Sequence, residues 1–401
     1  MTAEASALKD TVRQTAVGLQ PDMMQMARTL HARPELSGEE HHSSRLVANA
    51  LSAAGFDVEF GTGGMETAFV ARRPLAGAGP VVAYLAEYDA LPDVGHGCGH
   101  NLIAAAATGA GLALAQVAGD CAGEIRVIGT PAEETLGGKV ILVEEGCFDD
   151  VDVALMVHPS HEDRVLSDSL ACASFEVVFS GKAAHAVAHP EKGINALDAL
   201  LALFAARDSL LRHSRPGARM PGVITDGGRR PNIVPERAAA SFSLRAADRT
   251  RLDELIKAFR HLAAGIATTR RCGLQLRQTD RTYDEMVSNV PLADAYRANL
   301  ALLGVTVNDL PRENMGSLDM GNVSYAVPSL HPFFAIVPAT VASHTREFAT
   351  ATLGQAGEAG LLRSVQALAM TGVDLLCDAN LARRARDAHT GVLAGRKATA
   401  P

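Results

Sequence analysis

The sequence predicts an α/β protein: a mostly parallel sheet sandwiched by helices, with a second, smaller domain inserted into it. Three observations carry the prediction. Over residues 1–171, short apolar strands alternate with helical stretches, the pattern of a sheet covered on both faces. Over residues 172–286 the order changes to βαββαβ, and from residue 287 to 401 the first pattern resumes. A separate order between two halves of one pattern reads as an inserted domain of ordinary size in a discontinuous larger one.

The elements follow in order. An amphipathic helix over Pro21–Arg33 precedes a second near Glu39–Ala54. "PVVAYLAEYD" reads as a buried strand, followed by a helix of small residues after Asn101. "GEIRVIGTPAEE" is a strand with a loop at its end, "GGKVILVEEG" a helix, and "VDVALMVHPS" a third strand with a polar end. The insertion opens with the strand "SFEVVFSG" and the helix "NALDALLALFAARDSLLRH". The strands "GVITDGG" and "AAASFSLRA", the helix "DRTRLDELIKAFRHLAAGIATTR" and the strand "GLQLRQT" complete it. That order is the split βαβ, or ferredoxin-like, arrangement. Beyond it, "SLHPFFAIV" is one strand and "EAGLLRSVQALAMTGVDLLCD" a closing helix, and the tail "GVLAGRKATAP" is expected to be disordered.

Composition removes several function classes. The chain has 401 residues, 47% hydrophobic and 20% charged, with a formal net charge of -8. A nucleic-acid binder would carry a basic footprint, so none is expected as a partner. No membrane association is expected either, because the run from Asn101 to Val117 is broken by glycines and too rich in alanine to span. The N-terminus lacks the apolar core of a signal peptide, and six scattered cysteines are no disulfide framework. A reducing cytoplasm is the expected compartment.

In open α/β sheets, ligands bind beyond the carboxyl ends of the strands. Unusual polar residues stand at those ends here. After the first strand come Glu87, Asp89 and the stretch "VGHGCGHNLI", which sets His96, Cys98 and His100 on alternate positions. After the second come Glu133 and Glu134, and after the third His158. His331 and His344 follow late in the chain. Thiolate, imidazole and carboxylate together suit Zn²⁺ or another first-row divalent ion. A spare carboxylate beside a ligating one is what metal-assisted hydrolysis needs as a base. Taken singly, each residue has a plainer reading. Glu133–Glu134 could be a solvated loop pair, His158 a core histidine, and Cys98 a small core residue or a nucleophile beside His100. His331 and His344 compete for one ligand position; the spacing H-x-x-x-F favours His344, leaving His331 facing substrate or packing at a strand end.

Nine stretches together are specific: "LHARPELSGEE", "AEYDALP", "GHGCGHN", "GTPAEET", "MVHP", "GKAAHA", "GGRRPNIVP", "GSLDMGNVS" and "ASHTREF". In that order the chain resembles the dinuclear metallo-amidohydrolases and peptidases that include hippurate hydrolase, aminoacylases, indole-acetyl-amino-acid hydrolases and aminobenzoyl-glutamate hydrolase. The resemblance covers His31 to Asp378 and is nearest the branch of aminobenzoyl-glutamate hydrolase and the β-alanyl-lysine dipeptidase-like proteins. It implies a zinc-peptidase-like catalytic domain whose inserted domain serves as a lid and as the seat of a homodimer. It implies two divalent ions, Zn or Mn, bridged by Cys98 and completed by His100, Glu134, His158 and His344. Glu133 would be general base and acid, with Asp89 orienting a ligand from behind. Glu87, standing where other members carry a ligating histidine, is expected not to ligate. Where many relatives read Cys-Gly-His-Asp, this chain has Asn101, expected to remove a carboxylate from beside the metals. From the lid, His185 would polarise the scissile carbonyl in the partner subunit's site, while Asn232 and Arg245 would bind the substrate's carbonyl or carboxylate end. The implied reaction is hydrolysis of the amide bond of a small N-acyl amino acid or dipeptide. The alternatives are a cysteine hydrolase using Cys98 and a non-catalytic binder of amino-acid conjugates.

Overall fold

A computed structural model describes residues 3–214, 217–310 and 316–398, which divide into two compact units. The first unit opens with helices α1 (Ala3–Ala32) and α2 (His41–Ala53), followed by strands β1 (Asp57–Phe60), β2 (Phe69–Pro74) and β3 (Val81–Ala86). Next come α3 (His100–Val117), β4 (Glu124–Gly129), α4 (Gly138–Glu144), β5 (Val153–Leu155) and β6 (His158–Ser160). The second unit, chiefly Ser169–Glu285, holds β7 (Ala171–Ser180), α5 (Ala196–His213), β8 (Gly222–Asp226), β9 (Arg237–Ala246), α6 (Arg249–Arg270) and β10 (Gly273–Gln278). The chain then returns to the first unit with α7 (Val290–Leu302), α8 (Met320–Ala326), β11 (Ser329–Leu330), β12 (Phe333–Ala335), α9 (Arg346–Ala351), α10 (Gln355–Cys377) and α11 (Ala379–Ala398).

The main sheet runs β1-β2-β4-β3-β5-β11. Its β4, β3, β5 and β11 are parallel, and the edge β1-β2-β4 is antiparallel. Helix α3 is buried along nearly its whole length, and its small residues are what permit this. A Cβ on Gly109 would come within 2.9 Å of Val365 on α10, and one on Gly111 within 2.6 Å of Val127 on β4. Helix α10 is apolar enough in length and composition to cross a membrane, but most of it lies buried against α1, α3 and α7, as a core helix does.

Three elements depart from the sequence reading. Helix α1 starts at Ala3 and carries Pro21 inside it rather than beginning there. The carbonyl that loses its partner to a proline sits four residues back, at Val17, which is on the exposed face while Ala5, Val12 and Ala16 are buried. The tail is helical as far as Ala398. There Arg396 donates to the Tyr325 hydroxyl at 2.8 Å and His389 contacts the Ser324 carbonyl at 2.9 Å; residues 399–401 lie outside the described chain. Finally, "VDVALMVHPS" and "SLHPFFAIV" are each two strands. β5 and β11 pair in the main sheet, whereas β6 and β12 pair in a separate two-stranded one. Both segments change sheet at the same level, where the His158 amide donates to the Pro332 carbonyl.

In the second unit the antiparallel sheet runs β10-β7-β9-β8. Phe175, Phe179, Leu200, Phe242 and Phe259 form its core under α5 and α6. Both helices start on side-chain caps, Asn195 for α5 and Asp248 for α6. Strand β8 is an edge, and its Val223 and Ile224 are exposed.

Candidate metal centre and active site

The candidate donors of the first unit come from the segments after β3 and β4, from the first residue of β6 and from the segment before α9. The chain runs from β3 through Glu87 and Asp89 to a tight glycine loop, and α3 starts at His100 itself. Gly99 has φ +83°, and a Cβ there would meet Pro159 at 2.3 Å, so the loop can press Cys98 against the His158 segment only without a side chain. From β4 the chain passes Ala132 and reaches Glu133 and Glu134. His344 arrives from the C-terminal segment, its amide donating to the Gly97 carbonyl at 2.9 Å.

These loops bring potential donors into three overlapping groups. Cys98, His100 and His158 form one, Cys98, Glu134 and His344 a second, and His100, Glu133 and Glu134 a third; within each, the donor atoms lie within 4.8 Å of one another. Cys98 belongs to two of them. Its Sγ is 3.4 Å from His158 Nε2, whose ring has its Nδ1 2.8 Å from the Pro159 carbonyl. His100 presents Nδ1 to Asp89 Oδ1 at 2.9 Å, which turns Nε2 toward the cluster. The other Asp89 oxygen accepts the Ser37 hydroxyl at 2.7 Å and the Glu134 amide at 3.0 Å. Asp89 therefore orients two donors at once, as carboxylates behind metal-binding histidines do. His344 Nε2 stands 3.7 Å from Glu134 Oε2.

Do these residues fit a pair of divalent ions? His100 Nε2 and Glu134 Oε1 are buried without a hydrogen-bond partner, an arrangement that is costly unless something else binds them. The thiolate, imidazole and carboxylate set is that of Zn²⁺-type ions. The charge balance points the same way. Glu133 is pushed well above the carboxylate range by burial and by the carboxylates of Glu87, Asp319 and Glu134, more than His100 offsets. For Asp89, burial is outweighed by His100, the Glu134 amide and Ser37, which hold it at about 2. So much buried negative charge is what bound cations compensate. The donor set fits.

The same environment disfavours the cysteine-nucleophile reading. Burial raises the Cys98 thiol far above its ordinary value and lowers neighbouring His158 to about 3, so a thiolate–imidazolium pair is disfavoured.

One expectation changes. Asn101 faces away from the donors: its Nδ2 donates to the Ala27 carbonyl at 3.3 Å and to Thr352 Oγ1 at 3.1 Å. As the second residue of α3 it pins that helix to α1 and to the end of α9, so its lack of a carboxylate does not touch the donor groups. Of the two late histidines, His344 joins a donor group, while His331 is buried with its ring 5.5 Å from that of His158 and belongs to none of the three groups.

Sequence reasoning missed Lys139. It is fully buried, with Nζ bonded to Glu87 Oε1 and, at 2.8 Å, to Asp319 Oδ1, while its amide donates to Asp319 Oδ2 at 2.9 Å. Glu87 is thereby tied from behind, its second oxygen 3.3 Å from His100 Nε2. The available signal was a lysine heading the apolar run "KVILV", since a buried lysine needs carboxylate partners. Lys139→Met should destabilise the fold by about 3–5 kcal/mol, because two buried carboxylates lose their counter-charge. Urea unfolding measures this, and wild-type stability would refute it.

The remaining candidates lie in the second unit. His185 is exposed, and its Nδ1 accepts the amides of Val187 at 3.3 Å and Ala188 at 3.1 Å. That places the proton of a neutral ring on Nε2, making the side chain a donor. The Asn232 carbonyl accepts the Ala186 amide at 3.0 Å, holding Asn232 next to the His185 turn. Arg245 donates to the hydroxyls of Ser243 at 3.3 Å and Ser317 at 3.1 Å.

Comparison with known proteins adds kinship to this geometry. Residues 171–268 match the peptidase dimerisation domain of the M20 family. The chain is 36% identical to a mouse Xaa-Arg dipeptidase over 367 residues, covering 88% of this chain and 85% of the relative. It is 28% identical to one of the polypeptides of p-aminobenzoyl-glutamate hydrolase from Escherichia coli K12, with 90% of each chain covered. Among solved structures, a dinuclear metal-binding peptidase of the M20 family from Bacillus subtilis superposes with a TM-score of 0.66 at 20% identity, covering 89% of this chain and 99% of its own. An aminobenzoyl-glutamate utilization protein from Klebsiella pneumoniae does so with a TM-score of 0.72 at 22% identity, covering 90% and 97%. Identity at the level of the dipeptidase, over most of both chains, settles descent, and the chain belongs to the M20 family of peptidases and amidohydrolases, metal-dependent enzymes that hydrolyse amide bonds.

Proposed function

We propose that the chain is a dipeptidase or aminoacylase-type hydrolase with two Zn²⁺ or Mn²⁺ ions, Glu133 as its proton-transfer group, and a homodimeric assembly. The observation that carries this reading is the pair of donor groups sharing Cys98, with Glu133 beside both Glu134 and His100. Ions bound there supply polarisation of the scissile carbonyl and a lowered pKa for the attacking water. Glu133 takes that water's proton and later returns it to the leaving amine. Asp89 keeps His100 and Glu134 aimed. Nε2 of His185 donates to the carbonyl oxygen as negative charge builds there, and Arg245 and Asn232 hold the carboxylate end of the substrate. His331, buried with its ring 5.5 Å from that of His158, borders the substrate rather than the ions.

The relatives named as Xaa-Arg dipeptidases favour dipeptides ending in a basic residue as the first substrates to try, with aminobenzoyl-glutamate and N-acyl amino acids next. Alanyl-arginine is the reference probe. Purified protein is incubated with each compound with and without added Zn²⁺ or Mn²⁺, and released amine is read. Amine release that needs metal supports the reading; none from any compound in the presence of metal defeats it. The cysteines in the described structure are unpaired, which supports a reducing, cytoplasmic setting.

The exposed edge strand β8, with Val223 and Ile224 outward, supports a dimer through the second unit, since an unpaired apolar edge is a template for another strand. Ile224→Lys should shift the protein from dimer to monomer in sedimentation. If His185 serves the partner subunit's site, His185→Ala chains mixed with Glu133→Gln chains should recover activity that neither parent has. Subunit exchange without recovery would make His185 a same-chain or structural residue.

A further inference from the structure

The stretch "PELSGEE" supplies none of the proposed metal donors, yet it reaches the site from behind. Glu35 accepts the amides of His42 at 3.1 Å and Ser43 at 2.8 Å, which fastens the stretch to the start of α2. Ser37 then bonds Asp89, the residue that holds His100 and the Glu134 amide. Glu40 is completely buried and spends its carboxylate on loops rather than on a cation. Its Oε1 accepts the Gly38 amide at 2.8 Å and the Ala132 amide at 2.9 Å, and its Oε2 accepts the Thr67 hydroxyl at 2.9 Å.

Ala132 is the informative partner. It is fully buried and left-handed, with φ 61°, a conformation that a residue with a Cβ seldom adopts without being held there. The two residues after it are Glu133 and Glu134. The left-handed turn at Ala132 redirects the chain as it enters Glu133 and Glu134. A carboxylate on the Ala132 amide and another on the Glu134 amide brace both sides of Glu133.

We infer that Glu40 is a positioning residue: by holding Ala132 left-handed it aims Glu133 at the reacting water and turns Glu134 into the donor group with Cys98 and His344 that would hold an ion. The inference rests on the proposed role of Glu133. Reach, rather than charge, is what Glu40 contributes. Aspartate keeps the charge but is one methylene too short for the Ala132 amide, whereas glutamine keeps the reach, its carbonyl accepting both amides and its NH₂ meeting Thr67.

The test compares E40D and E40Q as full-length, metal-loaded protein. Two quantities are read: kcat and KM on alanyl-arginine, and the dissociation constant of the more weakly held Zn²⁺ by competition with a chelating dye. E40D should lose about 10- to 100-fold in kcat, or in affinity for that ion, with KM nearly unchanged, the scale seen when a partner behind a metal site is removed. E40Q should retain most of both. Adding Ala132→Gly to E40D should recover part of the loss, because glycine takes the left-handed conformation freely. A residue that only stabilises the fold would lower the melting temperature of E40D while leaving kcat and zinc affinity alone, and that result overturns the inference. So does an E40Q as impaired as E40D, or an unimproved double variant. Glu133→Gln serves as control: if it stays active, the role of Glu133 fails, whereas an inactive E133Q beside an unimpaired E40D refutes the positioning role alone. The zinc readout stands even if alanyl-arginine is not a substrate.

Discussion

Replacing Glu133 by Gln should lower kcat by about 10²- to 10⁴-fold while the protein keeps its metal and its affinity for substrate. The amide is the same size as the carboxyl and can hold the same place beside His100 and Glu134, but it cannot accept the proton that the attacking water must lose. The carboxyl it replaces sits where burial and neighbouring carboxylates favour its protonated form, so once metal ions offset that charge it can both take a proton and give it back. Glu134→Gln should behave differently. It weakens the donor group made with Cys98 and His344, so metal content falls along with turnover. Metal analysis by inductively coupled plasma beside steady-state kinetics separates the two. Equal metal loss in both variants, or an active Glu133→Gln, would reverse the assignment.

Removing the Cys98 thiol should have the broadest effect. Cys98 stands in two of the donor groups, so Cys98→Ala breaks both at once, whereas His158→Ala or His344→Ala breaks one. Metal content should drop toward zero in Cys98→Ala and by about one ion in each histidine variant, in line with the ligand count of such sites. Activity should fall to background in Cys98→Ala, and a strong chelator should reproduce this in the wild type, with recovery on adding a divalent salt. A cysteine hydrolase would show the opposite pattern: activity that survives the chelator and is lost on alkylating the thiol.

Much of this site was readable from residue types and order because Cys98, His100, Glu133 and Glu134 lie in segments that follow strands announced by apolar runs, while His158 opens β6 and His344 lies just before α9. What the sequence hid has physical reasons. The N-terminal half of α1 buries mainly Ala5, Val12 and Ala16, side chains too small to give a strong amphipathic signal, and Pro21 looked like a start rather than a passenger. β1 is four residues long and mostly exposed, so it lacks alternation to read. The double strand change at His158 and His331 depends on two distant segments moving together, which no local window contains. Lys139 was hidden because its partners, Glu87 and Asp319, are 52 and 180 positions away. Asn101 misled in the other direction: the relatives' Cys-Gly-His-Asp pattern suggested a carboxylate lost from beside the metals, but on a helix the residue after His100 points about 100° away.

The pairing of β11 with β5 also sets an order in which the chain can complete its larger sheet. Strand β5 lies before the inserted unit and β11 after it, and His344, which completes one donor group with Cys98, lies later still. During synthesis the chain emerges N-terminus first, so β5 waits with an open edge while the whole insertion is made. The insertion has all four strands of its own sheet within one continuous stretch and can close while the rest waits. Until Ser329 and Leu330 arrive, the larger sheet is unfinished, and until His344 arrives the donor group it forms with Cys98 and Glu134 is incomplete. Binding energy from an ion held by that group would be gained only after His344 has been made. A chain that stops before Ser329 would therefore leave both the larger sheet and that donor group unfinished.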